Sequence, residues 1–318
     1  MIKWGLQEEF SEEVGNSYLL CSCTVSSTDF LTCSSNQLFL YSRNQIKYSI
    51  PVSFSAIYYV PEYEFVIGAT TGIPTLRIFS IINPTNIYLR EFLLHQTLIS
   101  QIYCSLSSLI LITVGGKDIK IWKINMTKTS TYKFEISQIS SLPGSPLCSN
   151  GMNLIYVDEK RHRIFVPHFN GFVLYSFEGA VLEKQLKFSH IMYSAIALLP
   201  SPRKYPGLDL SYYHFIDIFK RFAVVDNSAN IHIYYKSGHL LLSIPPISST
   251  SIFFISFVNS EFVITVNTNG EICLVNIKTA KVKIVEKIGH KPERVDFFTN
   301  PEPTLFVISG RQLYKYKV

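Results

Sequence analysis

Apolar residues alternate with polar ones over short stretches along the chain, and polar turn residues separate these stretches. The segment 111–122 shows the pattern most clearly. It reads as an apolar strand through Val114, a tight turn of Gly115, Gly116 and Lys117, and a second strand that ends at Trp122. Successive side chains of a strand point to opposite faces of a sheet, so the pattern predicts antiparallel β-strands joined by tight turns.

The same strand–turn–strand pattern recurs six more times when the chain is aligned on Trp122. The residues that close the second strand of each copy are Tyr41, Phe79, Trp122, Tyr175, Tyr234, Val275 and Tyr316. Four of the six spacings between them are 38–43 residues. This is close to the ~40–45 residues of a four-stranded propeller blade, so the sequence predicts a repeat fold made only of strands.

Two spacings are longer and predict loop insertions. Residues 125–150 are rich in Ser, Thr and Asn and contain Pro143-Gly144-Ser145-Pro146. Residues 199–213 contain three prolines and Gly207. Proline and glycine interrupt regular structure, so both segments are expected to extend from the repeats as loops.

The segment 111–122 resembles a WD40 repeat, and His95, His190 and Gly289-His290 stand where WD40 repeats place their Gly-His. The resemblance covers nearly the whole chain. It implies a single seven-bladed β-propeller domain over residues 1–318, built of four-stranded antiparallel blades.

The resemblance also implies structural roles for side chains of the third repeat. His95, Thr113 and Trp122 are expected to stabilise its blade. Asp118 is also assigned to blade architecture, but it lies four residues before Trp122 and not the usual six. We therefore expect Asp118 to stay outside the hydrogen-bonded set of WD40 blades.

On this alignment we expect the seventh repeat to have no outer strand of its own, because two residues follow Tyr316. We expect residues 2–6 to supply this strand and so remove an exposed sheet edge. The acidic segment 8–13 that follows is expected to be a solvated loop, with a docking loop for a basic partner as the alternative.

Composition favours a packed intracellular protein. Of the 318 residues, 47% are hydrophobic and 16% are charged, which argues against disorder. No apolar run reaches the ~18 residues of a membrane span, and the first residues lack the apolar core of a secretory signal. Six scattered cysteines indicate free thiols and hence the cytoplasm or another reducing compartment. A cytoskeletal, ciliary or nuclear location is open within this expectation.

Neither a metal site nor a catalytic site is predicted. Cys21, Cys23 and Cys33 lack the two-to-four-residue spacers and the partner His that zinc pairs typically use. The phosphate-loop, nucleophile-elbow, zinc-protease and dinucleotide motifs are all missing from the sequence. We therefore predict no catalytic residue, no metal ligand and no cofactor.

Charge gives one candidate anion site. The formal charge is +6 without a long basic run, which disfavours a nucleic-acid stripe. Lys160, Arg161 and Arg163 form the densest basic cluster. It is either a solvated turn or a contact for an acidic peptide, a phosphate or RNA.

The resemblance implies a non-catalytic scaffold or adaptor subunit that binds other proteins in a larger intracellular assembly. Tyr63, Tyr212 and Tyr213, together with the basic cluster, are the expected partner contacts, because loops on a rigid scaffold carry recognition. An anionic-ligand propeller, for RNA or phosphoinositide, and a propeller hydrolase are the alternatives. Nothing in the sequence indicates a homo-oligomer.

Overall fold

The computed structural model describes residues 6–73, 75–83, 87–89, 95–105, 108–128, 132–145, 155–158, 162–168, 171–185, 193–200, 219–226, 228–235, 239–246, 250–298 and 302–318. These residues divide into two compact units. The terminal unit holds residues 7–151 and 293–318, and the middle unit holds residues 152–292 together with Leu6. Within the described ranges, the chain has no helix that could span a bilayer.

The regular elements are β-strands. The first thirteen strands are β1 (Gln7–Glu13), β2 (Leu19–Thr24), β3 (Asp29–Ser34), β4 (Leu38–Ser42), β5 (Gln45–Ile50), β6 (Phe54–Val60), β7 (Phe65–Thr70), β8 (Leu76–Ser80), β9 (Ile87–Leu89), β10 (Ile99–Ser105), β11 (Ile110–Gly115), β12 (Asp118–Lys128) and β13 (Tyr132–Pro143). The remaining strands are β14 (Tyr156–Asp158), β15 (Arg163–His168), β16 (Gly171–Ser176), β17 (Val181–Gln185), β18 (Tyr193–Pro200), β19 (Phe219–Asp226), β20 (Ile231–Tyr235), β21 (Leu240–Ile244), β22 (Ile252–Phe257), β23 (Phe262–Asn267), β24 (Glu271–Asn276), β25 (Val282–Lys287), β26 (Arg294–Phe298), β27 (Thr304–Ser309) and β28 (Gln312–Lys317).

Among the described residues, these strands form seven antiparallel sheets of four strands each. In the terminal unit the sheets are β2–β5, β6–β9, β10–β13, and β26–β28 with β1. In the middle unit they are β14–β17, β18–β21 and β22–β25. Each of the seven repeat-closing residues lies in the third strand of its sheet. The predicted class, four-stranded antiparallel blades, is confirmed.

Burial explains which strands the sequence shows most clearly. A second strand whose side chains are all described is covered on both faces and reads as an apolar run, as in β11, where every residue is buried. Outer strands such as β5 are largely exposed and polar. In the terminal unit, side chains of β6–β8 pack against those of β10–β13 in one core cluster that includes Leu111 and Trp122.

The N-terminal strand that completes the last sheet is confirmed, but its position differs from the expectation. The paired strand is β1, Gln7–Glu13, which runs antiparallel to β28. Residues 2–5 lie outside the described residues. The interpretation of residues 8–13 as a loop was therefore wrong. The sequence of β1 resembles a loop because this outer strand fully buries only Phe10, while its acidic side chains face solvent or basic partners.

Two acidic side chains of β1 pair with basic residues of the last sheet. Glu9 Oε2 lies 2.9 Å from Nζ of the buried Lys315, and Glu13 Oε1 lies 2.6 Å from Arg311 Nη2. Lys315 also lies over the ring of Phe30, 5.2 Å from its centroid. The acidic residues of β1 therefore face basic residues of β28 and of the turn before it. The sequence of β1 alone does not reveal these partners, because they come from the other end of the chain.

The expected loop insertions also need correction. Residues 125–128 belong to β12, and residues 132–143 belong to β13, so most of the segment 125–150 is a long β-hairpin. Phe134 and Ile136 alternate with Lys133 and Glu135 and pack on the core, which is ordinary strand patterning. Of residues 199–213, the first two end β18, and 201–213 lie outside the described residues.

We predict that Phe10→Ala lowers the free energy of unfolding by about 3 kcal/mol, because Phe10 packs edge-on against Phe30 and Tyr41 at 5.5 and 5.1 Å. Glu12→Ala, at an exposed position of the same strand, should change it by less than about 0.5 kcal/mol. Chemical denaturation measures both. Equal effects of the two substitutions would contradict the docking of β1.

Candidate functional site

Four side chains of the third repeat form one hydrogen-bonded set. His95 Nδ1 lies 2.5 Å from Asp118 Oδ1, and His95 Nε2 lies 2.7 Å from Thr113 Oγ1. Trp122 Nε1 donates to Thr113 Oγ1 at 2.9 Å. The structure thus places Asp118 in the set from which its spacing had excluded it. Asp118 begins β12 directly after the turn, where a short side chain reaches back to His95.

The neutral form of His95 satisfies every member of this set. With its proton on Nδ1, His95 donates to Asp118, and Nε2 accepts from the Thr113 hydroxyl, which itself accepts from Trp122. Burial lowers the pKa of His95 below its usual value, although the neighbouring Asp118 carboxylate opposes the shift. His95, Thr113 and Trp122 are all buried. The chemistry of this set is therefore structural: it fixes the β11–β12 turn against the segment before β10.

A second polar network joins strands of three sheets in the terminal unit. Arg294 and Asp296 lie two residues apart on β26, and Arg294 Nε donates to both carboxylate oxygens at 2.9 and 3.1 Å. Arg294 Nη1 also donates to the carbonyl of Ser55 at the start of β6 at 2.9 Å. Asp296 Oδ2 accepts the amide of Ser22 on β2 at 3.0 Å. These contacts fix the first strands of the three sheets to one another.

Tyr63 lies in the turn between β6 and β7, as expected for a partner contact. Its side chain is 38% exposed, and its ring stacks on Phe65 with centroids 5.7 Å apart. Phe65 in turn meets Phe134 of the β12–β13 hairpin edge-on at 5.4 Å. The exposed ring is therefore supported from below by two buried ones, and the acidic residues on either side of it are exposed.

The other expected partner contacts are only partly described. Arg163 begins β15 and is half-buried, and His162 before it stacks on Phe177 at 5.2 Å. Lys160, Arg161, Tyr212 and Tyr213 lie outside the described residues. The described residues therefore do not test whether the basic cluster forms a site, and its role stays a prediction.

Three exposed apolar side chains of the terminal unit were missed in the sequence. Tyr18 is 65% exposed, Ile73 60% and Leu98 50%. They lie at the ends of their sheets opposite to the turn of Tyr63, just before β2, after β7 and before β10. The sequence prediction assigned aromatic and aliphatic residues to the core by default. The one sequence signal for the exposure of these three residues is the absence of charged residues next to them in the chain.

A Ser–His–Asp series occurs in the middle unit. Ser243 Oγ lies 3.1 Å from His232 Nδ1, and His232 Nε2 lies 2.9 Å from Asp226 Oδ2. Asp226 also accepts the backbone amides of Ser228 and Asn230, so its carboxylate orders the β19–β20 turn. Ser243 is exposed on the outer strand β21. Acyl transfer depends on fixed hydrogen-bond donors in a site that excludes water, whereas Ser243 is exposed. We therefore infer that these three residues stabilise the β19–β20 turn.

Comparisons with known proteins support the fold alone. No family model and no curated protein matches the chain. Among 1507 solved chains that resemble it, one is the WD40 β-propeller domain of Doa1, with 12% identity, a TM-score of 0.66, and coverage of 98% of this chain and 97% of that one. The chain therefore has the WD40 β-propeller fold, and the fold does not decide its function.

We predict that Thr113→Val lowers the free energy of unfolding by about 2–4 kcal/mol, because His95 Nε2 and the Trp122 indole N–H both lose their partner in a buried site. Thr127→Val, at an exposed position of β12, is the matched control and should be close to neutral. Urea unfolding at neutral pH compares the two. Loss of less than about 0.5 kcal/mol in Thr113→Val would contradict a structural role for the set.

We also predict an acid-side loss of stability from His95. Because its pKa is lowered in the folded chain, the unfolded chain binds the proton more readily, and stability falls as the pH drops below about 6.5. Above that pH both states are neutral and the contribution of His95 is complete. The free energy of unfolding of the wild type should therefore decrease more steeply below about pH 6.5 than that of His95→Gln. Parallel curves would exclude His95 as the source.

Proposed function

We propose that the chain is a non-catalytic protein-interaction scaffold, or adaptor subunit, of a larger intracellular assembly, with residues 1–318 acting as one β-propeller domain. Propellers of this fold mostly serve as scaffolds, which is analogy at the level of the fold. The observation that carries the proposal for this chain is the supported, exposed ring of Tyr63.

A supported tyrosine ring is well suited to bind a partner. It offers a large apolar surface with a hydroxyl group, and the stack on Phe65 leaves it little conformational freedom to lose on binding. The turn itself is fixed, since the Glu64 carbonyl accepts the amide of Ile81 at 3.0 Å. Tyrosines in such positions are frequent among the few residues that supply most of the binding energy of an interface.

The neighbours of Tyr63 indicate the chemistry of its partner. Glu62 and Glu64 are both exposed and carry negative charge beside the ring. A lysine or arginine side chain could contact the ring face and pair with either carboxylate. The proposal is therefore a basic segment of another protein at this turn.

A reducing compartment is part of the proposal. Of the described residues, Cys21, Cys23, Cys33, Cys104 and Cys273 are all buried free thiols. Burial raises the pKa of Cys23 to about 12 and that of Cys273 to about 11, which keeps both thiols protonated and unreactive. This arrangement supports an intracellular setting.

The test is quantitative affinity purification of the native protein, followed by mass spectrometry, with three variants. We predict that Tyr63→Ala reduces recovery of a stoichiometric partner at least about tenfold, because a buried interface tyrosine contributes about 2 kcal/mol or more. Tyr63→Phe should retain most of the binding. Tyr235→Ala removes a tyrosine of similar exposure, 42%, from the middle unit and serves as the control.

Two results would contradict the proposal. One is recovery of no stoichiometric partner by the wild type. The other is a partner whose recovery is the same for Tyr63→Ala and Tyr235→Ala. The melting temperatures of the variants, compared with the wild type, separate a loss of binding from a loss of folded protein.

A further inference from the structure

One arginine of the middle unit is held in place by uncharged groups. Arg221 on β19 lies directly opposite Tyr235 on β20, and its Cζ atom lies 5.7 Å from the centroid of the Tyr235 ring. Arg221 Nη1 also donates to the carbonyl of Ser260 at 3.2 Å, in the turn between β22 and β23. A ring and a carbonyl from two sheets of the middle unit therefore fix this guanidinium group.

These contacts do not balance the charge of Arg221. Among the described residues, no carboxylate pairs with Arg221, and its remaining N–H donors have no acceptor. Arg294 and Arg311, by contrast, pair with the carboxylates of Asp296 and Glu13. Arg221 thus keeps hydrogen-bond donors for which the described part of the chain supplies no partner.

Hydrogen bonds also fix the turn that holds Arg221. Asn259 Oδ1 accepts the amide of Glu261 at 2.8 Å and that of Phe262 at 3.0 Å. The carbonyl of Glu261 accepts the amide of Ile277 at 2.9 Å, which links this turn to the turn between β24 and β25. A group that is already fixed loses little conformational freedom when it binds a partner.

The turn between β24 and β25 adds to the positive charge. It carries Lys278 and Lys281, which are both exposed. The carboxylate of Glu261 contacts Lys278 Nζ, so its charge is already paired. Among the described side chains on the elements that these contacts join, the bases Arg221, Lys278 and Lys281 outnumber the acid Glu261. The local charge is therefore positive.

We propose that Arg221 and Tyr235 form a docking site for an acidic segment of another protein. An Asp or Glu carboxylate of the partner accepts hydrogen bonds from the guanidinium N–H donors that Ser260 leaves unused. The planar guanidinium group suits this role, because it can donate two parallel hydrogen bonds to one carboxylate. The Tyr235 ring is 42% exposed and offers an apolar surface beside the charge.

This inference rests on the proposed function as a protein scaffold and adds a second surface to it. Glu62 and Glu64 stand beside Tyr63, whereas Arg221 stands beside Tyr235. The two exposed tyrosines therefore have neighbours of opposite charge, and like charges disfavour the wrong partner at each of them. The scaffold would bind a basic segment at Tyr63 and an acidic segment at Arg221.

The test uses a phage-displayed library of random peptides selected on the wild-type protein. Selected peptides are synthesised, and fluorescence anisotropy measures their binding. Arg221→Gln removes the charge, and Arg221→Lys keeps the charge without the planar fork. Arg43→Gln makes the first change at an exposed arginine of the terminal unit and is the matched control. Melting temperatures of the variants separate a loss of binding from a loss of folded protein.

The expected result is a set of peptides rich in Asp and Glu. They should bind Arg221→Gln at least about tenfold more weakly than the wild type and bind Arg43→Gln as well as the wild type. Selection of peptides without acidic residues, equal binding to Arg221→Gln and the wild type, or equal weakening in Arg221→Gln and Arg43→Gln would each overturn the proposal.

Arg221→Lys decides the question if Arg221→Gln does not fold. It retains the aliphatic stem and the charge, but a lysine cannot donate to both carboxylate oxygens as a guanidinium does. Binding of the acidic peptides should weaken at least about threefold. Unchanged binding to a folded Arg221→Lys would overturn the docking of a carboxylate on the guanidinium group.

A fluorescently labelled oligouridylate is the second probe, because arginine also recognises phosphate. We expect weak binding that is the same for the wild type and Arg221→Gln. If oligouridylate binds more tightly than the acidic peptides and depends on Arg221, the site is one for nucleic acid, and the acidic protein partner is overturned.

The two proposals fail separately. If Tyr63→Ala loses its native partner but the acidic peptides do not depend on Arg221, the scaffold stands and the Arg221 site is overturned. If the peptides depend on Arg221 but no native partner depends on Tyr63, the Arg221 site stands and the basic-partner contact at Tyr63 is overturned. Tyr235→Ala should weaken the acidic peptides and leave the Tyr63-dependent partner unchanged.

Discussion

The buried ion pair of Arg294 and Asp296 is the interaction on which the terminal unit depends. Their side chains are only 16% and 8% exposed, so the charges are largely removed from water. Such a pair is stable only when both groups have complete hydrogen-bond partners. Here the partners are the carbonyl of Ser55 and the amide of Ser22, which belong to two other sheets. Satisfying the pair therefore requires three sheets to adopt one arrangement.

This arrangement sets the position of the candidate surface at Tyr63. Ser55 is the second residue of β6, the strand that leads to the turn of Tyr63. Its hydroxyl also contacts the start of β10, which carries Leu98 immediately before it. A polar network that is fully satisfied makes its surroundings rigid. Exposed side chains on such a frame lose little conformational freedom when they bind, and this is the physical basis for a scaffold.

The sequence was most informative where strands are buried on both faces. Apolar runs such as β11, and the residues that close each third strand, predicted the sheets and their order. Outer strands were harder to predict, because only one of their faces is buried and shows an apolar pattern. β1 buries Phe10 among carboxylates, and its partners Lys315 and Arg311 come from the far end of the chain. β13 combines Phe134 and Ile136 with a Ser-rich end that resembles a loop in composition.

The candidate sites could also be predicted only in part from the sequence. Spacing along the chain excluded Asp118 from the set of His95, yet the distance of 2.5 Å between them depends on the turn and not on the count of residues. The position of Tyr63 in an exposed turn could be predicted, because that turn is short and polar. The exposure of Tyr18, Ile73 and Leu98 could not be predicted, because apolar residues beside a strand are expected in the core by default.

The most direct measurement is a double-mutant cycle on the ion pair, with Arg294→Met, Asp296→Leu and both together, followed by equilibrium unfolding. Each single substitution leaves a buried charge without its partner and should cost about 3–5 kcal/mol. The double variant should lose clearly less than the two single losses combined, with a coupling of about 2 kcal/mol. Additive losses, within about 0.5 kcal/mol, would show that the pair does not hold the three sheets together and would contradict its central role.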